Sequence, residues 1–172
     1  MSKIAILNNT VLSNFSSVNR LDLIKFAFDE YYTSKDVVDE VSIGIKRGYD
    51  FLQQVRENIY PLNKNGWLRI ENIRKLSDYK LYDKLLKTVS RGEASCIVIA
   101  YQKGWIFVSD DKDARIIADS FGVKISGTLG ILKIAIDKGI ISIKEADFLL
   151  DLMIKRGYRA PIRNIREILE VE

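Results

Sequence analysis

Residues 105–115 read WIFVSDDKDAR, and the reading of this stretch decides the fold. Gly104 precedes four apolar residues, Trp105, Ile106, Phe107 and Val108, and three carboxylates follow closely: Asp110, Asp111 and Asp113. A short apolar run entered from a glycine is the pattern of a buried strand. Acids at its C-terminal end then fall where an open α/β sheet forms its ligand crevice. Carboxylates this close repel one another. They are tolerated when solvated, when one caps the following helix, or when a divalent cation neutralises them. The plain alternative is a turn in which Asp110 or Asp111 caps a helix starting near Lys112.

The rest of the chain supplies more acids in similar settings. Residues 3–7 (KIAIL) read as a first strand, followed by the turn and cap residues Asn8, Asn9 and Thr10 and a helix carrying Val11, Leu12 and Phe15. Residues 19–28 read as an amphipathic helix, Tyr31–Thr33 as a second strand, and 36–47 as a helix capped by Asp36 and ended by Gly48, with Glu40 one turn in. A further helix is expected from Asp50 to Glu57, a short strand within 67–73, and a helix over 77–88 capped by Ser77. Gly92 then breaks the chain and Glu93 opens an unusually apolar helix, EASCIVIAY, of the kind that is buried all round. After the central strand come a helix over 112–121, a strand at 123–126, and a helix opened by Gly127, Thr128 and Gly130. Ser142 with Glu145 forms a capping box for a helix to Lys155, and Pro161 starts a last short helix ending near Leu169. Strands alternate with helices from end to end. That pattern predicts a single α/β domain over 1–172, three layers α/β/α around a short, mostly parallel sheet, with a basic extension from about residue 156.

Composition narrows the chemistry. The chain has 172 residues, 47% of them hydrophobic and 29% charged, with a net charge of +4, ordinary for a globular domain. No apolar run approaches the ~18 residues of a membrane span, and the N-terminal apolar stretch is too short for a signal peptide. A lone cysteine, Cys96, allows no internal disulfide and fits a reducing cytoplasm. There is no histidine. That excludes Ser-His-Asp and Cys-His catalysis and leaves no ligand set for zinc. Catalysis here must run on carboxylates, lysine, tyrosine or a metal, and oxygen-only ligands favour Mg²⁺ or Mn²⁺.

In a parallel sheet the turns after the first and central strands share the carboxyl edge, so Asn8 faces Asp110 and Asp111 there. Glu93 opens the helix leading into the central strand, and Glu40 lies on a helix whose apolar face points inward. Acids converging on one crevice, with no lysine or arginine in the same motifs, describe a divalent-metal site suited to hydrolysing phosphodiesters.

The order ILNNTVLSNF, VVDEV, RGEASCIVIA and FVSDDKDAR resembles the PIN-domain ribonucleases, and within them the VapC-like toxins. The segment GTLGILKIAIDKG followed by KRGYR is similar to one prokaryotic branch of that family, and the resemblance spans Ile4 to about Arg159. It implies a Mg²⁺- or Mn²⁺-dependent endoribonuclease, the toxin of a toxin–antitoxin pair, with RNA as substrate and an antitoxin protein as partner; a homodimer is compatible with it, and the oligomeric state stays open. The family's aspartate after strand one, a metal ligand, is Asn8 here, with Thr10 beside it. Its second acid falls on Glu40 and its third on Glu93. The fourth falls on Asp111 if Ser109 takes the family's Thr/Ser place, with Asp113 in support; Asp110 is the competing assignment. Asparagine matches aspartate in shape but is neutral and offers one carbonyl oxygen. The implied site is therefore weakened at that position.

Each assignment has a simpler counterpart. Glu40 reads equally as a solvated helix residue, Glu93 as a favourable charge at a helix N-terminus and Thr10 as a cap. The tail cations Lys155, Arg156, Arg159, Arg163 and Arg166 are either a solvated face or a track for an RNA backbone or an acidic partner. Lys64, Arg69, Arg74 and Lys75, near Tyr79 and Tyr82, form a weaker second basic cluster. Two other functions fit the pattern: a catalytically dead PIN fold that binds RNA or protein, and a receiver-like domain phosphorylated on an aspartate.

Overall fold

The computed structural model describes residues 1–169. Its sheet is built around β1 (Ile4–Leu7), which pairs in parallel with β2 (Glu30–Ser34) on one side and β5 (Ile106–Val108) on the other. Ile6 lies opposite both Tyr32 and Phe107. Outside these, β4 (Leu68–Glu71) pairs with β2, β3 (Ile59–Tyr60) with β4, and β6 (Ile125–Ser126) with β5. Every pairing is parallel and the order is β3-β4-β2-β1-β5-β6. The chain lays β2, β3 and β4 on one side of β1, with β4 inserted between β2 and β3, then crosses back to place β5 on the other side. The carboxyl ends of β1 and β5 flank the resulting switch point.

The helices are α1 (Asn9–Ser17), α2 (Lys35–Lys46), α3 (Gln53–Glu57), α4 (Leu76–Leu85), α5 (Arg91–Lys103), α6 (Lys112–Ser120), α7 (Thr128–Asp137), α8 (Ile143–Lys155) and α9 (Arg166–Leu169). Helix α5 packs across β1, β2 and β5 and meets α2, α4 and α6; α1 packs with α7 and α8. The architecture is the three-layer α/β/α expected. Ala5, Ile6 and Leu7 are fully buried, as a parallel strand covered on both faces requires. Helix α5 is buried continuously from Ala94 to Ala100, and each large aliphatic side chain removed from water there contributes on the order of 1.5–3 kcal/mol.

Several local expectations are corrected. Residues 21–26 form a 3-10 turn, where 19–28 reads as an α-helix. A second 3-10 turn, Asp50–Leu52, precedes α3. Ser34, not Asp36, caps α2, its hydroxyl accepting from the Val37 N–H. Ser77 lies inside α4, whose cap position is Lys75 with no capping side chain. The two-residue strand β3 has no counterpart in the sequence reading, and α9 begins at Arg166, five residues past Pro161. The capping box of α8 at Ser142 and Glu145 is present as expected. Among the described residues, no helix is long and apolar enough to cross a membrane.

Candidate metal centre

The site grows from the ends of β1 and β5. The Asn8 N–H donates to the Val108 carbonyl at 2.9 Å and the Ser109 N–H to the Ser126 carbonyl at 3.0 Å. Both strands therefore leave the sheet locked side by side. Asn8 then caps α1: its side-chain oxygen accepts from the Asn9 N–H at 2.8 Å, and its amide donates to the Ser109 hydroxyl at 3.1 Å. The Ser109 hydroxyl also accepts from the Asp111 N–H at 3.2 Å, while the Thr10 hydroxyl accepts from the Asp110 N–H at 3.0 Å. Ser109 and Thr10 thus fix the path of the turn that carries the two aspartates.

That turn sends its two carboxylates to different places. Asp111 caps α6, one oxygen accepting from the Ala114 N–H at 2.8 Å, and its charge is felt at Glu93. The Asp110 carboxylate accepts from the Asn14 amide at 2.8 Å, the Thr128 N–H at 2.8 Å, the Thr128 hydroxyl at 2.5 Å and the Tyr158 hydroxyl at 3.4 Å. It joins α1, α7 and the C-terminal segment. Asp113 is exposed in the first turn of α6, with no hydrogen bond or ion pair to Asn8, Glu40, Glu93 or Asp111 among the described residues.

Glu93 closes a capping box with Ser90. Its carboxylate accepts from the Ser90 N–H at 2.9 Å and the Ser90 hydroxyl from the Glu93 N–H at 3.3 Å. Glu40 reaches across from α2, and one oxygen accepts from the Gly92 N–H at 3.0 Å. Gly92 is required for that approach: a Cβ there would stand 2.6 Å from both Glu40 carboxylate oxygens. Burial raises the pKa of Glu40, and Glu93's charge adds to it against the relief from the Gly92 N–H. Burial likewise raises Glu93, with Asp111's charge adding and the Ser90 N–H and the Asn8 side chain opposing. Glu40, Glu93 and Asp111 are in no ion pair among the described residues.

The structure thus groups Glu40, Glu93, Asp111 and Asn8, supports them with Thr10 and Ser109, and sets Asp110 and Asp113 apart. It adds partners that the sequence reading missed. Ser90 was legible as the S-x-x-E pattern of residues 90–93. Asn14 and Tyr158 lie inside the quoted motifs ILNNTVLSNF and KRGYR, but nothing local marks them as partners of Asp110. Each of the three grouped carboxylates has one oxygen on a backbone N–H. This oxygen-only, uncompensated donor set fits a hard divalent cation in its chemistry. In geometry it is loose: among the described residues, no group of three or more His, Cys, Asp or Glu stands close enough to grip a metal together.

The basic residues divide. Lys155, Arg156, Arg159, Arg163 and Arg166 are exposed, and Lys155 pairs with Asp151 at 2.6 Å. In the second cluster, Arg69 pairs with Glu30 and Arg74 with Glu71, so part of its charge is neutralised within the protein.

No functionally curated protein matches the chain in sequence. Among solved structures it is similar to a PilT N-terminus domain protein from the hyperthermophilic archaeon Sulfolobus solfataricus P2. That similarity has a TM-score of 0.46 and 13% identity, over 76% of this chain and 91% of that one. The model of the family DUF3368, described as a PIN domain, matches residues 4–171, and this chain therefore belongs to the PIN-domain family.

Proposed function

We propose that this chain is a metal-dependent endoribonuclease of the VapC-like toxin type, attenuated by Asn8, with an antitoxin protein as its partner. PIN domains are generally nucleases and divalent-metal dependent, so the coarse assignment follows from the family. One observation supports the finer one: Glu40, Glu93 and Asp111 lie at the carboxyl edge of the sheet as half-buried acids, in no ion pair among the described residues. Those residues would hold Mg²⁺ or Mn²⁺ through their carboxylate oxygens. A cation there would neutralise the charge that develops on the phosphate and make a water nucleophilic near neutral pH, which a chain without histidine needs. The chain's own residues prepare the place. Ser109 and Thr10 hold the turn, Gly92 fixes Glu40 and the Ser90 box fixes Glu93.

A second reading, a PIN fold that binds RNA or a protein without cutting it, draws on Asn8 itself. Asn8 is 1% exposed. Its oxygen is engaged by Asn9 and its amide by Ser109, so it adds no charge to the site. The experiment is a cleavage assay on mixed cellular RNA, with and without EDTA, for the natural chain and for Asn8→Asp. Little activity is expected from the first and a clear gain in Mg²⁺- or Mn²⁺-dependent cleavage from the second. The fold is expected to persist, since Asn and Asp cap helices about equally well. Equal activity would place Asn8 away from the chemistry. Inactivity of both, with metal demonstrably bound, would favour the binding module.

A further inference from the structure

We propose that the cavity between α1, α2 and the 3-10 turn at Asp50–Leu52 is a base-stacking subsite for single-stranded RNA, seating a nucleotide beside the acids. This rests on the reading above. The cavity measures about 470 Å³ and is bordered by Asn9, Ser13, Glu40, Arg47, Tyr49 and Phe51, a size within the range of ordinary ligand sites. Glu40 belongs both to this cavity and to the acidic group. A nucleotide seated here therefore lies next to Glu40.

The local sequence builds the subsite deliberately. Gly48, at φ +98°, ends α2 in a conformation that favours glycine. The chain then turns back, and the Tyr49 N–H donates to the Gly44 carbonyl at 3.1 Å. Gly44 leaves room for Leu52, whose Cδ1 would stand 2.4 Å from any Cβ there. The 3-10 turn thus seats directly on α2 and brings Tyr49 and Phe51 to the cavity. Tyr49 is 55% exposed, so its ring is accessible from solvent. Its ring lies 6.0 Å from that of Phe51 at 57°, so the two do not stack on each other. Arg47 is exposed and in no ion pair among the described residues.

This combination selects its occupant. A base stacks on an aromatic face whatever its identity, an arginine attracts the phosphate that follows, and the Asn9 amide can bond a base edge. Glu40 repels a phosphate at its own position, so the base and not the backbone enters the cavity. A duplex cannot present an unstacked base, which restricts the subsite to single strands.

The test is fluorescence anisotropy of a short fluorescein-labelled single-stranded RNA of mixed sequence, with the full chain in EDTA so that neither metal nor cleavage intervenes. Tyr49→Ala is expected to weaken binding about tenfold, the scale of one base–aromatic stack, and Tyr49→Phe, which keeps the ring, to bind as the natural chain does. Phe148→Ala, an exposed ring on α8, is expected to change nothing. Arg47→Ala is expected to weaken binding and flatten its salt dependence, while Tyr49→Ala leaves that slope unchanged. Absence of RNA binding by the natural chain, equal affinity of Tyr49→Ala, or a loss in Tyr49→Phe as large as in Tyr49→Ala would overturn the proposal. The two readings fail separately. Loss of RNA binding in Tyr49→Ala with no cleavage by Asn8→Asp keeps the subsite and removes the nuclease. Cleavage by Asn8→Asp with KM unmoved by adding Tyr49→Ala keeps the nuclease and removes the subsite.

Discussion

Glu93 holds two roles that pull in opposite directions. As the third residue of α5 it completes a capping box and sits favourably at a helix N-terminus. As a half-buried charge near Asp111 it is repelled, and its pKa lies above the usual 4.5. A carboxyl raised on folding contributes stability that is fully present below its unfolded pKa and lost as pH rises through the folded one. At neutral pH without metal, the ionised Glu93 therefore works against the fold, and Glu40 does the same. Glu93→Gln keeps a side chain able to close the capping box but removes the charge. It is expected to melt a few degrees above the natural chain in EDTA at pH 7, a gap that closes as pH falls toward 4.5. Added Mn²⁺ should raise the melting temperature of the natural chain and not that of Glu93→Gln, because only a site with its ligands gains stability by binding. Thermal melts across pH, with and without Mn²⁺, measure both effects. A Glu93→Gln protein that melts lower in EDTA would mean that the carboxylate's hydrogen bonds outweigh its repulsion.

At the scale of elements, α2 and α5 meet where Glu40 accepts from the Gly92 N–H, and Gly92 decides how closely. Alanine is ordinarily better than glycine in a helix by roughly 0.5–1 kcal/mol. Here its Cβ would collide with the Glu40 carboxylate, the far end of a flexible side chain, which swings away at little cost to the fold. Gly92→Ala is accordingly expected to keep its melting temperature in EDTA within a few degrees while losing most of the Mn²⁺-induced rise, read in the same melts. A full Mn²⁺ response would show that Glu40 needs no fixed position. These contacts also show why the sequence was legible in part. Apolar periodicity located β1, β2, β5 and most helices, and the carboxyl edge of a parallel sheet then gathered Asn8, Glu40, Glu93 and the Asp110–Asp111 pair. Caps slipped by a residue or two, as at Ser34 and Lys75, because periodicity reports a buried stripe and not which side chain reaches an N–H. Strand β3 is too short to show a pattern. Asp110 and Asp111 were inseparable in sequence, since what divides them is a set of distant partners: Asn14 lies 96 positions from Asp110 and Tyr158 lies 48.

Across the whole molecule, the net charge of +4 coexists with an acidic centre, and the C-terminal segment explains how. It is tied down by the fully buried Ile165, by the Ile165 N–H donating to Asp147 at 2.7 Å, and by the Tyr158 hydroxyl on Asp110. Anchored this way, it turns Arg156, Arg159, Arg163 and Arg166 outward. Arg159 borders a cavity with Lys112 and Arg115, which Asp110 and Asp119 also line, and Lys112 is the residue after Asp111. If RNA is the substrate proposed above, a strand tracking these cations would be led toward the acids, and cations on a docked segment are better placed for this than cations on a free tail. Reversing Arg159 and Arg163 to glutamate should therefore weaken binding of single-stranded RNA at low salt. It should also reduce the slope of log affinity against log salt by about 1.4, the release expected when two cations no longer contact phosphates. The fold should survive, since both side chains are exposed and the anchors at Ile165 and Tyr158 are untouched. Anisotropy titrations over a range of salt, on the natural chain and the double variant, measure affinity and slope together. Unchanged affinity at low salt would reduce the segment to a solvated face. A loss of affinity with the slope unaltered would mean that the substitutions act through the shape of the segment and not through its charge.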